Sequence, residues 1–154
     1  MSRAFVKESD GAEALALPDR PISEHPNFVT AEGLAQMDGL LARLHEAHAR
    51  AQTAADRSAL ASIRRDLRYW TARRSTAQVV PLPSNHDKVQ FGATVTILRD
   101  DGRRQTYRIV GEDEAEPAKG TLSYVSPVAR ALMNKAVGDV IAAGSGEAEI
   151  VAIS

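Results

Sequence analysis

Between Thr30 and Ala77 the chain repeats apolar positions at alternating spacings of three and four. The first run is Leu34, Met37, Leu41, Leu44, His48 and Ala51; after "AQTAAD" the second is Leu60, Ile63, Leu67, Trp70, Arg74 and Ala77. His48 and Arg74 keep the rhythm without being apolar. Such a rhythm is a heptad seam on a helix. Two seams of equal length joined by a tight connection predict an antiparallel helical hairpin, a two-stranded coiled coil, over residues 30–79. Thr30 offers the N-cap of the first helix. Thr53 and Asp56 stand in capping-box spacing, with Asp in place of the usual Glu, and so start the second helix near residue 54. With about 22 to 24 residues per arm and about 1.5 Å per residue, the hairpin extends roughly 33 to 36 Å.

Beyond Val89 the period changes to two. "ATVTILRDDGRRQTYRIV" predicts a strand, a turn at Asp101-Gly102 and a second strand; "GTLSYVS", "DVIAA" and "EAEIVAI" supply three more. "SPVARALMN" reads as one short helix: Ser126 caps, Pro127 takes the first helical position, and Val128, Ala131 and Leu132 face the sheet. Gly138 ends this excursion and Asp139 opens the turn into the last hairpin. The fold class is therefore α+β, a helical hairpin followed by a small antiparallel sheet lobe with one helix on a face. Residues 1–29, with Pro18, Pro21 and Pro26, form an extended arm ordered only where Phe5 or Phe28 finds a surface; "PLPSN" opens a linker over 80–87, and the lobe runs from 88 to 154.

Charge refines this division. The net charge of −1 separates into −2 over residues 1–29, +3 over 30–80 and −2 over 81–154, and every base in the middle third is arginine. Most of these arginines are expected to be solvated or paired along their helix. Arg57, Arg64, Arg65 and Arg68 are candidates for phosphate contact, against pairing with Asp56 and Asp66. The chain has no cysteine, which removes disulfides and thiolate chemistry. No apolar run reaches the roughly 18 to 20 residues of a membrane span, and the first 28 residues lack a secretory core, so a cytoplasmic protein is expected.

Enzyme signals are few. There is no phosphate-binding glycine loop and no nucleophile elbow. His45 and His48 share a helix face without a third ligand, and the acidic run Glu112–Glu116 is more readily a solvated loop than a cation site. No metal, cofactor or catalytic residue is assigned. A prolyl isomerase would need an aromatic-lined pocket. In the lobe only Phe91, Tyr107 and Tyr124 are available, and some of these belong to its core.

"FGATVTILRDDG", "YRIVGEDEAE" and "LSYVSPVARALMNKAVGDVI", with "IRRDLRYW" in the second helix, together resemble the GreA/GreB family of bacterial transcription elongation factors. Residues 1–28 have no counterpart in that pattern. The resemblance implies an FKBP-like lobe that docks on RNA polymerase at the mouth of its secondary channel, where the hairpin inserts. Carried onto matching positions, the docking residues are Asp113, Glu114, Ser126, Pro127 and Arg130. The family's cleavage-stimulating members hold two acids at the hairpin tip that help to bind a catalytic magnesium ion. Here the tip offers Asp56 alone, with Glu46 further down the first helix, and each arm is short by about nine residues, roughly 13 Å.

These departures imply a monomeric regulator that binds polymerase without stimulating transcript cleavage and makes at most non-specific nucleic-acid contact. The alternatives are a member of the Rnk branch, regulators of nucleoside diphosphate kinase, and a cleavage factor that works with Asp56. A further one is an interaction module whose hairpin pairs with another helix or with a second copy.

Overall fold

A computed structural model describes residues 16–154. Phe5 lies outside them. The described residues divide into two compact units: a helical unit holding residues 16–24 together with Ala35–Thr76, and a sheet unit holding His25–Leu34 and Ala77–Ser154.

In the helical unit, α1 (Ala31–Thr53) contributes all but its first turn, and α2 (Arg57–Thr76) returns alongside it. The Asp38–Arg74 ion pair, 2.7 Å, ties the beginning of one helix to the end of the other, as an antiparallel hairpin requires. Met37 and Ala51 are buried, while Leu41, Leu44, His48, Leu60, Ile63, Leu67 and Trp70 are half-buried. A pair of helices has no third layer to close its flanks, so the seam stays shallow. At its end the burial differs from expectation: Arg73, not Arg74, is the buried side chain, while Arg74 reaches across to Asp38.

The turn at the tip also differs from expectation. Thr53 stays in α1, where its hydroxyl donates to the Ala49 carbonyl at 3.1 Å. Ala55 takes a positive φ of 52°. The cap belongs to Asp56, whose Oδ1 accepts the Ala59 N–H at 3.1 Å, and α2 therefore begins at Arg57 instead of near 54.

The sheet unit contains β3 (Thr94–Arg99), β4 (Arg104–Val110), β5 (Thr121–Ser123), β6 (Val140–Ala143) and β7 (Gly146–Ile153), in the spatial order β5-β4-β3-β7-β6. Period-two patterning buries Val95 and Ile97 of β3 and leaves Thr94 and Thr96 on the other face. At the β3–β4 turn Gly102 adopts φ 85°, a conformation open to glycine at little steric cost. The helix α3 (Pro127–Leu132) packs Ala129 and Leu132 into a core with Val89, Ile109, Leu122, Ile141, Ala148 and Ile150. Val128 and Ala131 pack at the margin of this core, and Ala129, unremarked in the sequence, is completely buried.

The sheet is antiparallel except at one place. β4 and β5 run parallel, because a crossover containing the short 3-10 turn Pro117–Lys119 carries the chain back before β5 begins. A two-residue parallel pair, β1 (Phe28–Val29) with β2 (Gln78–Val79), completes the unit.

Candidate functional site

The parallel pairing assembles the candidate surface. Val110, the last residue of β4, lies in register with Ser123, the last of β5, and the Tyr124 N–H donates to the Val110 carbonyl at 2.9 Å. Both strands thus end on the same side of the sheet. The acidic loop, Gly111–Glu116, leaves from one, and the turn into α3 leaves from the other. The sequence separates these segments; a parallel neighbour reunites them.

Within the loop the acids divide by role. The Glu114 carboxylate accepts the Thr30 N–H at 2.9 Å and the Gly111 N–H at 3.1 Å on one oxygen, and the Thr30 hydroxyl on the other. The same hydroxyl oxygen accepts the Gly33 N–H at 3.0 Å, so it caps α1 while donating to Glu114. Two glycines make room. A Cβ on Gly33 would lie 2.1 Å from the Glu114 side chain, and one on Gly111 would lie 2.4 Å from the Phe28 carbonyl oxygen. Glu114 is therefore a structural acid that fastens the loop to residues 30–33. Glu112 and Asp113 are half-buried, each with an interaction of its own.

Beside the loop, Phe28, Phe91 and Tyr124 form an aromatic cluster with centroids 5.5 to 6.3 Å apart, and the Tyr124 hydroxyl donates to the Pro26 carbonyl. Two of the aromatics that a prolyl-isomerase pocket would draw on are thus packed against the chain's own Phe28. Glu32 pairs with Arg108 at 3.3 Å. Its carboxyl lies below the usual carboxylate range, first because its own backbone N–H stabilises the anion and then because of the Arg108 charge. Neither residue stood out in the sequence, although an acid in the first helical turn is a legible signal.

At the start of α3, Pro127 and Arg130 are exposed. Ser126 holds the N-cap position, but its hydroxyl makes no capping bond and is shielded from solvent without a hydrogen-bond partner. The expected cap is corrected here: the first turn closes through the backbone alone, Arg130 N–H to Ser126 carbonyl at 2.9 Å. The helix itself ends at Leu132, and Gly138, with φ 96°, lies just before the turn into the last hairpin. Ser126→Ala is expected to leave the melting temperature unchanged or slightly raised, because a buried hydroxyl without a partner stabilises nothing. A loss of about 1 kcal/mol, the usual cost of removing a cap, would contradict this placement.

At the hairpin tip Asp56 is committed to its helix cap, and Glu46 is exposed on α1. Among the described residues no three His, Asp or Glu side chains come together as metal ligands. Of the four candidate phosphate-binding arginines, Arg57 and Arg64 are exposed and Arg65 lies 3.9 Å from Asp66. Arg68 binds Asp19 and the Leu17 carbonyl.

Residues 84–154 match the family model described as transcription elongation factor, GreA/GreB, C-terminal. The GreA of Desulfovibrio desulfuricans is 37% identical over 121 residues, 77% of this chain and 71% of that protein. The GreB of Neisseria meningitidis serogroup B is 45% identical over 87 residues, 55% of this chain and 53% of that protein, so the chain spans about half the length of this relative. Among solved structures, the GreA factor homolog 1 of Thermus thermophilus superposes with a TM-score of 0.41 at 19% identity, over 84% of this chain and 99% of that one. The extent of the match to GreA relatives, together with the C-terminal family model, places this chain in the GreA/GreB family of transcription elongation factors.

Proposed function

We propose that the protein binds bacterial RNA polymerase at its secondary channel through the sheet unit and regulates transcription without stimulating transcript cleavage. Family membership supports the partner. The observation that carries the second half is at the hairpin tip, where the single acid, Asp56, holds the N-terminus of α2 between Ala55 and Arg57, with no second acid beside it. Delivering a second magnesium ion takes convergent carboxylates at a reacting centre. A lone carboxylate with one oxygen bonded to its own helix does not supply the second ligand.

Asp113, Pro127 and Arg130 form the docking edge in this reading. Glu114 and Ser126 shape that edge from within, Glu114 by holding the loop and Ser126 by starting α3. The short hairpin, 23 and 20 residues in its two helices, also favours a second reading, a Rnk-like regulator of nucleoside diphosphate kinase.

A backtracked elongation complex with 3′-extruded RNA tests the proposal. The protein is expected to bind the complex and leave the RNA at full length over a time in which a GreA control shortens it. Factor-dependent shortening from the 3′ end would overturn the non-cleaving assignment. Capture of the kinase in place of polymerase would favour the second reading.

A further inference from the structure

Within the helical unit, residues 17–20 lie along α2. Asp19 accepts the Nε–H of Arg68, whose Nη2 also donates to the Leu17 carbonyl at 3.1 Å. One residue on, Arg20 pairs with Asp66 at 3.4 Å and sets its guanidinium 3.9 Å from the Tyr69 ring centroid and 5.7 Å from that of Trp70. Acid then base on the arm meets base and acid on the helix, so the match is reciprocal.

What this segment covers is one end of a stripe. Arg57, Arg64 and Arg68 stand seven and four residues apart and fall on one side of α2 over about 16 Å of helix axis. The first two are exposed, and among the described residues neither has an ion-pair partner. The third is closed by the arm. A carboxylate on a guanidinium occupies the place that a phosphate oxygen would take.

We propose that Leu17–Arg20 is a competitive guard on a three-arginine polyanion stripe, with Asp19 holding the position of a nucleic-acid phosphate on Arg68. The occupant that displaces it is a single-stranded nucleic-acid backbone, which the stripe meets through its phosphates. The inference rests on the reading that the hairpin contacts nucleic acid. The Asp19–Arg68 pair leaves its side chains 74% and 47% exposed, so it is screened and exchanges readily. A guard has to be weak in this way, or it would be a permanent closure.

The test is binding of a fluorescent 20-nucleotide thymidine strand, by anisotropy over a salt series, to the full chain and to two variants. Asp19→Asn keeps the shape of the arm and removes the competing charge. Glu24→Gln makes the same change in net charge away from Arg68. The expected result is about two- to fivefold tighter binding for Asp19→Asn, with a log–log salt slope steeper by about 0.7, one additional phosphate contact. Glu24→Gln is expected to follow the wild type. If all three proteins bind with the same affinity and slope, the guard is overturned while nucleic-acid contact stands. If both variants tighten equally, the effect is general charge, and the guard is again overturned. If none binds, the nucleic-acid reading fails and the guard fails with it.

Discussion

Glu114→Ala is expected to lower the stability of the sheet unit by about 2 to 4 kcal/mol, a large effect for a side chain in a loop. Three donors converge on this carboxylate, from Thr30 backbone, Thr30 hydroxyl and Gly111 backbone. A hydrogen bond to a charged group contributes about 1.5 to 3 kcal/mol, and donors left buried without a partner add the cost of their lost solvation. Thr30 is 2% exposed, so water does not readily replace the lost acceptor. For a chain of this length the change corresponds to roughly 2 to 4 °C in melting temperature per kcal/mol.

Glu114→Gln separates charge from shape. The amide can still accept on one oxygen, but it must present an NH2 group where the carboxylate presented a second acceptor. A loss smaller than that of alanine is expected. Thermal unfolding followed by circular dichroism measures both variants. If Glu114→Ala unfolded with the wild type, the carboxylate would not be the fastening between the loop and residues 30–33.

Much of the architecture was legible because it is local. A spacing of three and four marks both helices, alternation marks β3 and β4, and Thr30 is the cap that its position before "AEGL" suggests. The differences arise where the decisive partner is remote. Nothing near Glu114 in the chain points to Thr30, 84 residues away, and nothing near Asp19 points to Arg68, 49 residues away. The arm was expected to be ordered by an aromatic side chain alone; ion pairs hold its described part as well.

Register at the ends of elements was the other limit. The heptad count carries Arg74 into the seam, yet Arg73 is the side chain that is buried. Ser126 satisfies every compositional criterion for a cap and makes no capping bond. The parallel β4–β5 pair matters most for the proposed docking edge. A period of two does not report strand direction, and only the pairing of Val110 with Ser123 shows that the acidic loop and the start of α3 share one side of the sheet.

That shared side is the basis for the second large effect. Exchanging both Asp113 and Arg130 for alanine is expected to abolish retention of polymerase while leaving the fold intact. Arg130 is exposed on α3 and its side chain is not part of the core, which Ala129 and Leu132 supply from the same helix. Asp113 is half-buried, so the melting curve of the double variant has to be shown to match the wild type before its binding is interpreted. Losing two charges of opposite sign leaves the net charge unchanged. A fall in binding therefore reflects the loss of these two contacts and not a change in long-range attraction.

The most direct measurement is a pull-down of RNA polymerase from a bacterial lysate on immobilised wild type and on the Asp113→Ala/Arg130→Ala variant, side by side. Retention by the wild type and loss by the folded variant is the predicted result. Equal retention by both would remove the docking edge from Asp113 and Arg130, and absence of polymerase from both would contradict the proposed partner.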